Sequence, residues 1–83
     1  GETAFHFLII SELFSLLRIF FASRQDVTIA GNMMVYYDRG NPKKWLAPDI
    51  FVCFGVKNIL RRTFKTWEEG VFPQIVFEVA SES

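Results

Sequence analysis

The chain has 83 residues, of which 51% are hydrophobic and 17% aromatic, and its nine basic residues balance nine acidic ones. That length allows one domain, and an aromatic-rich sequence without net charge excludes intrinsic disorder. Zero net charge also excludes a purely electrostatic nucleic-acid binder, because there is no global attraction to phosphate.

Residues 5–21 (FHFLIISELFSLLRIFF) form the most apolar segment. A membrane-spanning helix needs roughly 20 mostly apolar residues and tolerates charge poorly at its centre. Here Ser11, Glu12, Ser15 and Arg18 share one arc at about 100° per residue. Ile10, Leu13, Leu17 and Phe20 point the other way, flanked by Ile9, Phe14, Leu16 and Phe21. The pattern predicts a core-facing helix over residues 4–23, started by Glu2 or Thr3, and no membrane span. No signal-peptide features stand at the start, and Gly1 in place of Met predicts a missing native start or a tag residue. The narrow polar strip also lacks the basic face of an interfacial membrane helix. His6 falls on the apolar side, where a buried core histidine is the plain reading.

After Asp26 the period changes to that of strands. Residues 27–30 and 33–37 are β-type runs separated by Gly31-Asn32, a pair suited to a bulge or sharp bend. Residues 38–42 (DRGNP) form a turn cluster. Residues 50–54 (IFVCF) are a continuous apolar run, as in a strand buried on both faces. The lone Cys53 within it excludes a disulfide framework and a cysteine-based zinc site, reads as a buried hydrophobe, and suggests a reducing, cytoplasmic compartment. A weaker strand is predicted at 64–67, and another short β run, started by Pro73, at 75–79. The order is α+β: one long helix on a mainly antiparallel or mixed sheet of about five strands, in a single domain over residues 1–83.

Two basic clusters lie between strands: Arg39, Lys43 and Lys44, then Lys57, Arg61, Arg62 and Lys65. They read either as solvated loop charge or as phosphate contacts. Asp49 follows Pro48 at the mouth of the 50–54 strand, and Glu78 interrupts the 75–79 strand. Carboxylates in such places need a hydrogen bond, an ion pair or a metal. If the two strands are neighbours, Asp49 and Glu78 can converge as oxygen ligands suited to Mg²⁺ or Mn²⁺. Such a metal would polarise a phosphoryl oxygen and activate a water.

The ordered segments HFLIISELFSLL, VTIAGNMMVYY, APDIFVCFGV, TWEEG and PQIVFEVASES resemble the Uma-type restriction-endonuclease family of the PD-(D/E)XK nuclease superfamily. The resemblance spans residues 2–83 and implies a restriction-endonuclease-like core with metal-dependent hydrolysis of DNA. It implies that Asp49 of Pro48-Asp49 and Glu78 are the catalytic acidic residues and metal ligands, with the Val79 backbone carbonyl a further ligand. By the same resemblance His6 lines the site, and Glu68 and Glu69 are mostly structural.

One departure stands out. Where the superfamily motif has a lysine two residues after the glutamate, this chain has Ala80. In Uma-type members the lysine resembles one moved onto a helix after a Ser-rich turn, and that turn begins at residues 81–83. The expectation is therefore a truncated nuclease domain that is inactive or nearly so. The alternative is a non-catalytic nucleic-acid-binding or self-associating remnant. Surplus apolar surface, with ten Phe and two Trp, predicts a homodimer or higher oligomer.

Overall fold

A computed structural model describes residues 3–80. Glu2, one of the two expected helix starts, and the Ser-rich turn at residues 81–83 lie outside them. The fold is α+β, with elements α1 (Ala4–Phe20), β1 (Val27–Gly31), β2 (Met34–Tyr36), β3 (Trp45–Leu46), β4 (Ile50–Phe54), β5 (Thr63–Lys65), α2 (Thr66–Glu69) and β6 (Ile75–Phe77). The strands form two three-stranded sheets rather than the single sheet expected, ordered β1-β4-β6 and β3-β2-β5. The first is antiparallel throughout, while β2 pairs antiparallel with β3 and parallel with β5.

Gly31-Asn32 is where the chain leaves one sheet for the other. Asn32 adopts φ 51°, a left-handed conformation that asparagine tolerates better than most residues. Its N–H donates to the Asp49 carbonyl at 3.0 Å, tying the bend to the start of β4. Strand β4 is central in its sheet, and Ile50, Phe51, Val52 and Cys53 are each at most 1% exposed. Alternation sends its side chains both ways. Phe51 and Cys53 join Ala30, Val35, Val56 and Phe64 in the core between the sheets, where the Phe51 and Phe64 rings meet edge-on at 5.3 Å. The opposite face receives α1, with Phe14 beside Gly31 and Phe21 edge-on to Phe54 at 5.6 Å.

Several boundaries, one strand and one face depart from the sequence reading. The helix ends at Phe20, and residues 21–23 are a turn. The strand expected at 64–67 is instead β5 at Thr63–Lys65, followed by the helical turn α2 closed by Gly70 at φ 80°. Strand β6 stops at Phe77, so Glu78 and Val79 follow it. β3 was not anticipated, since two residues carry no periodicity. On α1, Ile10, Leu13 and Leu17 are only half-buried, and of the face expected in the core Phe20 is 77% exposed, Leu16 59% and Ile9 37%. The sheet beneath the helix is only three strands wide, too narrow to cover the whole apolar stripe. No described helix is long and apolar enough to cross a membrane.

Candidate functional site

Three elements converge where β4 begins. The first turn of α1 supplies His6, fixed by its own backbone: Thr3 caps the helix, its hydroxyl accepting from the His6 N–H at 3.1 Å. Asp49 follows the buried Pro48 at the mouth of β4, and Val79 lies just past β6, the antiparallel neighbour of β4. The Val79 N–H donates to Asp49 Oδ2 at 2.7 Å, and His6 Nε2 stands 2.7 Å from the Val79 carbonyl and 3.7 Å from the same Asp49 oxygen.

The arrangement places a proton on His6 Nε2. Both neighbours of Nε2 are acceptors, so Nε2 carries the proton and donates to Val79. Nδ1 is buried and has no partner among the described residues. The His6 side chain is 8% exposed and that of Asp49 17%. Asp49 Oδ1 makes no hydrogen bond among the described residues, and Asp49 lines a cavity of about 430 Å³ against α1, together with Phe7, Ile10, Ser11, Phe14 and Asn32.

The structure thus joins His6, Asp49 and Val79. Glu78 is exposed and makes no hydrogen bond or ion pair among the described residues. No group of three or more His, Cys, Asp or Glu side chains there could hold a metal ion. The remaining donors are the free oxygen of Asp49, the Glu78 carboxylate and the second lone pair of the Val79 carbonyl, whose first is taken by His6. One or two carboxylates suit Mg²⁺, which keeps most of its waters and uses substrate phosphate oxygens for the rest. Among the described residues, Asp49 and the Val79 carbonyl are the oxygen donors brought together, and no all-protein cage forms.

The basic residues divide. Arg39, Lys43, Lys44, Lys57 and Arg62 are exposed, and Lys65 is half-buried, with Glu68 at 4.0 Å. Arg61 turns inward: Nε and Nη2 grip Glu69 at 2.8 and 3.2 Å. Nη2 also donates to the Lys57 carbonyl, and Nη1 to the Ile59 carbonyl and the Thr28 hydroxyl, at 2.8, 3.2 and 3.4 Å. All five guanidinium donors are used inside the protein, and the side chain is 7% exposed. Arg61 is therefore a structural residue, neither the solvated loop charge nor the phosphate contact that the sequence allowed, and Glu69 is its structural partner. Thr28, 3% exposed, completes the network, its one hydroxyl proton shared between the Val56 and Lys57 carbonyls.

Sequence reasoning missed Asn32 and Ser11 as cavity-lining residues. Asn32 carried a signal as the bend residue, whereas Ser11 read as part of a solvent strip. No protein-family model, curated protein or solved structure matches the chain.

Proposed function

We propose that these residues belong to a metal-dependent phosphodiesterase domain of the restriction-endonuclease-like type, with DNA as substrate and Mg²⁺ or Mn²⁺ as cofactor. The observation that carries the reading is Asp49: a carboxylate that lines a 430 Å³ cavity, held through one oxygen by the Val79 N–H with His6 3.7 Å away, its other oxygen without a hydrogen bond among the described residues. Asp49 and Glu78 would hold the ion, which supplies an activated water and an electrophile for the phosphoryl oxygen. His6 keeps the Asp49–Val79 corner in place, and Phe7, Ile10 and Phe14 limit water on the helix side.

Ala80 offers no charge to offset the developing negative charge, and loss of one such stabiliser typically costs about 10²–10³ in rate. The 83-residue chain is accordingly expected to bind metal but to cut DNA weakly or not at all. Titration with Mn²⁺, followed by water-proton relaxation, tests this. Binding should be lost in Asp49→Ala and weakened in Glu78→Ala; a wild-type chain that binds no Mn²⁺ overturns the reading. Robust Mg²⁺-dependent cutting of plasmid by this chain, lost in Asp49→Ala, would overturn its second half.

A self-associating, non-catalytic role is favoured by a separate observation. Phe5, Ile19 and Phe20 on α1 are 72%, 73% and 77% exposed, an apolar surface well beyond isolated side chains. Light scattering on this reading gives a dimer or larger species, and a stable 9.6 kDa monomer would count against it.

A further inference from the structure

The second sheet has one face toward the core and one away from it. Val35 and Phe64, paired across β2 and β5, are fully buried. One residue along, Trp45, Tyr36 and Lys65 are register partners across β3, β2 and β5. Successive strand residues point to opposite faces, so this row lies on the outer face. It continues into a cleft of about 370 Å³ lined by Tyr36, Asp38, Arg39, Thr63, Lys65 and Trp67. Trp45 is 46% exposed and Trp67 36%.

Charge on this face is mainly positive. Arg39 and Lys65 line the cleft, and the exposed Lys43 and Lys44 follow on the adjoining turn. Asp38 is the acidic residue of the lining, and its Oδ1 is held by the Gly40 N–H at 3.1 Å. Glu68 approaches Lys65 only to 4.0 Å.

Flat aromatic faces beside cations match a ligand with exposed π-faces joined by phosphates. Bases stack on aromatic side chains whatever their identity, while Lys and Arg neutralise the backbone. An acidic peptide would occupy the cations and leave the rings uncovered. A duplex keeps its base faces hidden in the stack. We infer that the outer face of the second sheet is a single-stranded nucleic-acid-binding platform, with bases stacked on Tyr36 and Trp67 and phosphates on Arg39 and Lys65. It shares no residue with the Asp49 cavity and stands whether or not that cavity holds a metal.

Fluorescence anisotropy of a labelled single strand of about 12 nucleotides, titrated with the 83-residue chain at low salt in EDTA, tests the platform. The chelator removes any contribution from a metal at Asp49. Saturable binding is expected, weakened about tenfold or more by Trp67→Leu. The double change Arg39→Gln, Lys65→Gln should flatten the dependence of log Kd on log salt by about 1.4, the value for two phosphate contacts on a single strand. Circular dichroism checks that each variant folds, and the double variant, altered only at surface positions, supplies the readout if Trp67→Leu does not. Absence of binding, or wild-type affinity and salt slope in the folded variants, overturns the proposal. So does equal competition by adenosine monophosphate, by the matching duplex or by polyglutamate, which would identify a free nucleotide, a duplex or simple polyanion binding instead.

Discussion

At Asp49, which lines the cavity, one carboxylate oxygen accepts from the Val79 N–H and the other makes no hydrogen bond among the described residues, so its structural and ligand roles can be separated by substitution. Asp49→Asn keeps an acceptor for Val79 but loses the charge; it should shift urea stability by less than about 1 kcal/mol while abolishing Mn²⁺ binding. Asp49→Ala strands the Val79 N–H and should cost about 1–3 kcal/mol in the same unfolding measurement. Cys53 gives a second residue-scale test. Burial pushes its thiol above the ordinary value of 9.0, the Glu69 carboxylate adds to the rise, and Arg61 opposes it. Because the folded state holds the proton more tightly, the contribution of Cys53 to stability is complete below pH 9.0 and is lost as pH rises above it. Thermal midpoints at about pH 8 and about pH 10 should therefore fall further apart in the wild type than in Cys53→Ala. A buried Cys53 was legible because it sits in an unbroken apolar run. The inward turn of Arg61 was not, since Arg61 and Arg62 are neighbours in one loop and only Arg61 meets five acceptors.

Among the elements, the loop after β4 is held by backbone hydrogen bonds from Gly55, Val56 and Asn58 to the Asp26 and Gln25 carbonyls and, beyond them, by side-chain chemistry. Arg61 joins its carbonyls at Lys57 and Ile59 to Glu69 on α2 and Thr28 on β1, and its guanidinium lies 6.0 Å from the Phe64 ring centre. Removing one member of such a buried pair leaves the other uncompensated, so Arg61→Ala should destabilise by about 3–5 kcal/mol in urea unfolding. Arg61→Lys should recover little of that, because an ammonium cannot reproduce the fork. Phe64→Ala, which empties the centre of the core between the sheets, should cost a similar ~3–5 kcal/mol. The apolar run of β4 and the bend at Gly31-Asn32 were readable from pattern and turn chemistry. The strand expected at 64–67 was half right, since Thr63–Lys65 is extended and Thr66–Glu69 coils into one helical turn. A segment that short contains too few side chains to reveal its period, and Gly70 as a C-cap was the remaining clue.

For the molecule as a whole, α1 and the first sheet bury the helix only in part, and the outward stripe at Ile19 and Phe20 stays open. If that stripe drives association, Ile19→Glu with Phe20→Glu should return the chain to a monomer by light scattering. Stability should change by no more than about 0.5 kcal/mol per position, as for exposed sites elsewhere. The sequence by itself determined the α+β order, the long N-terminal helix, the buried β4 run and the position of Asp49 at its mouth. These follow from local periodicity and turn residues, which act over a few neighbours. Tertiary structure decided the division into two sheets, the parallel pairing of β2 with β5, the meeting of His6 with Val79 and the inward Arg61. Each depends on which distant groups come within hydrogen-bonding or packing range, a property of chain closure that no local pattern encodes.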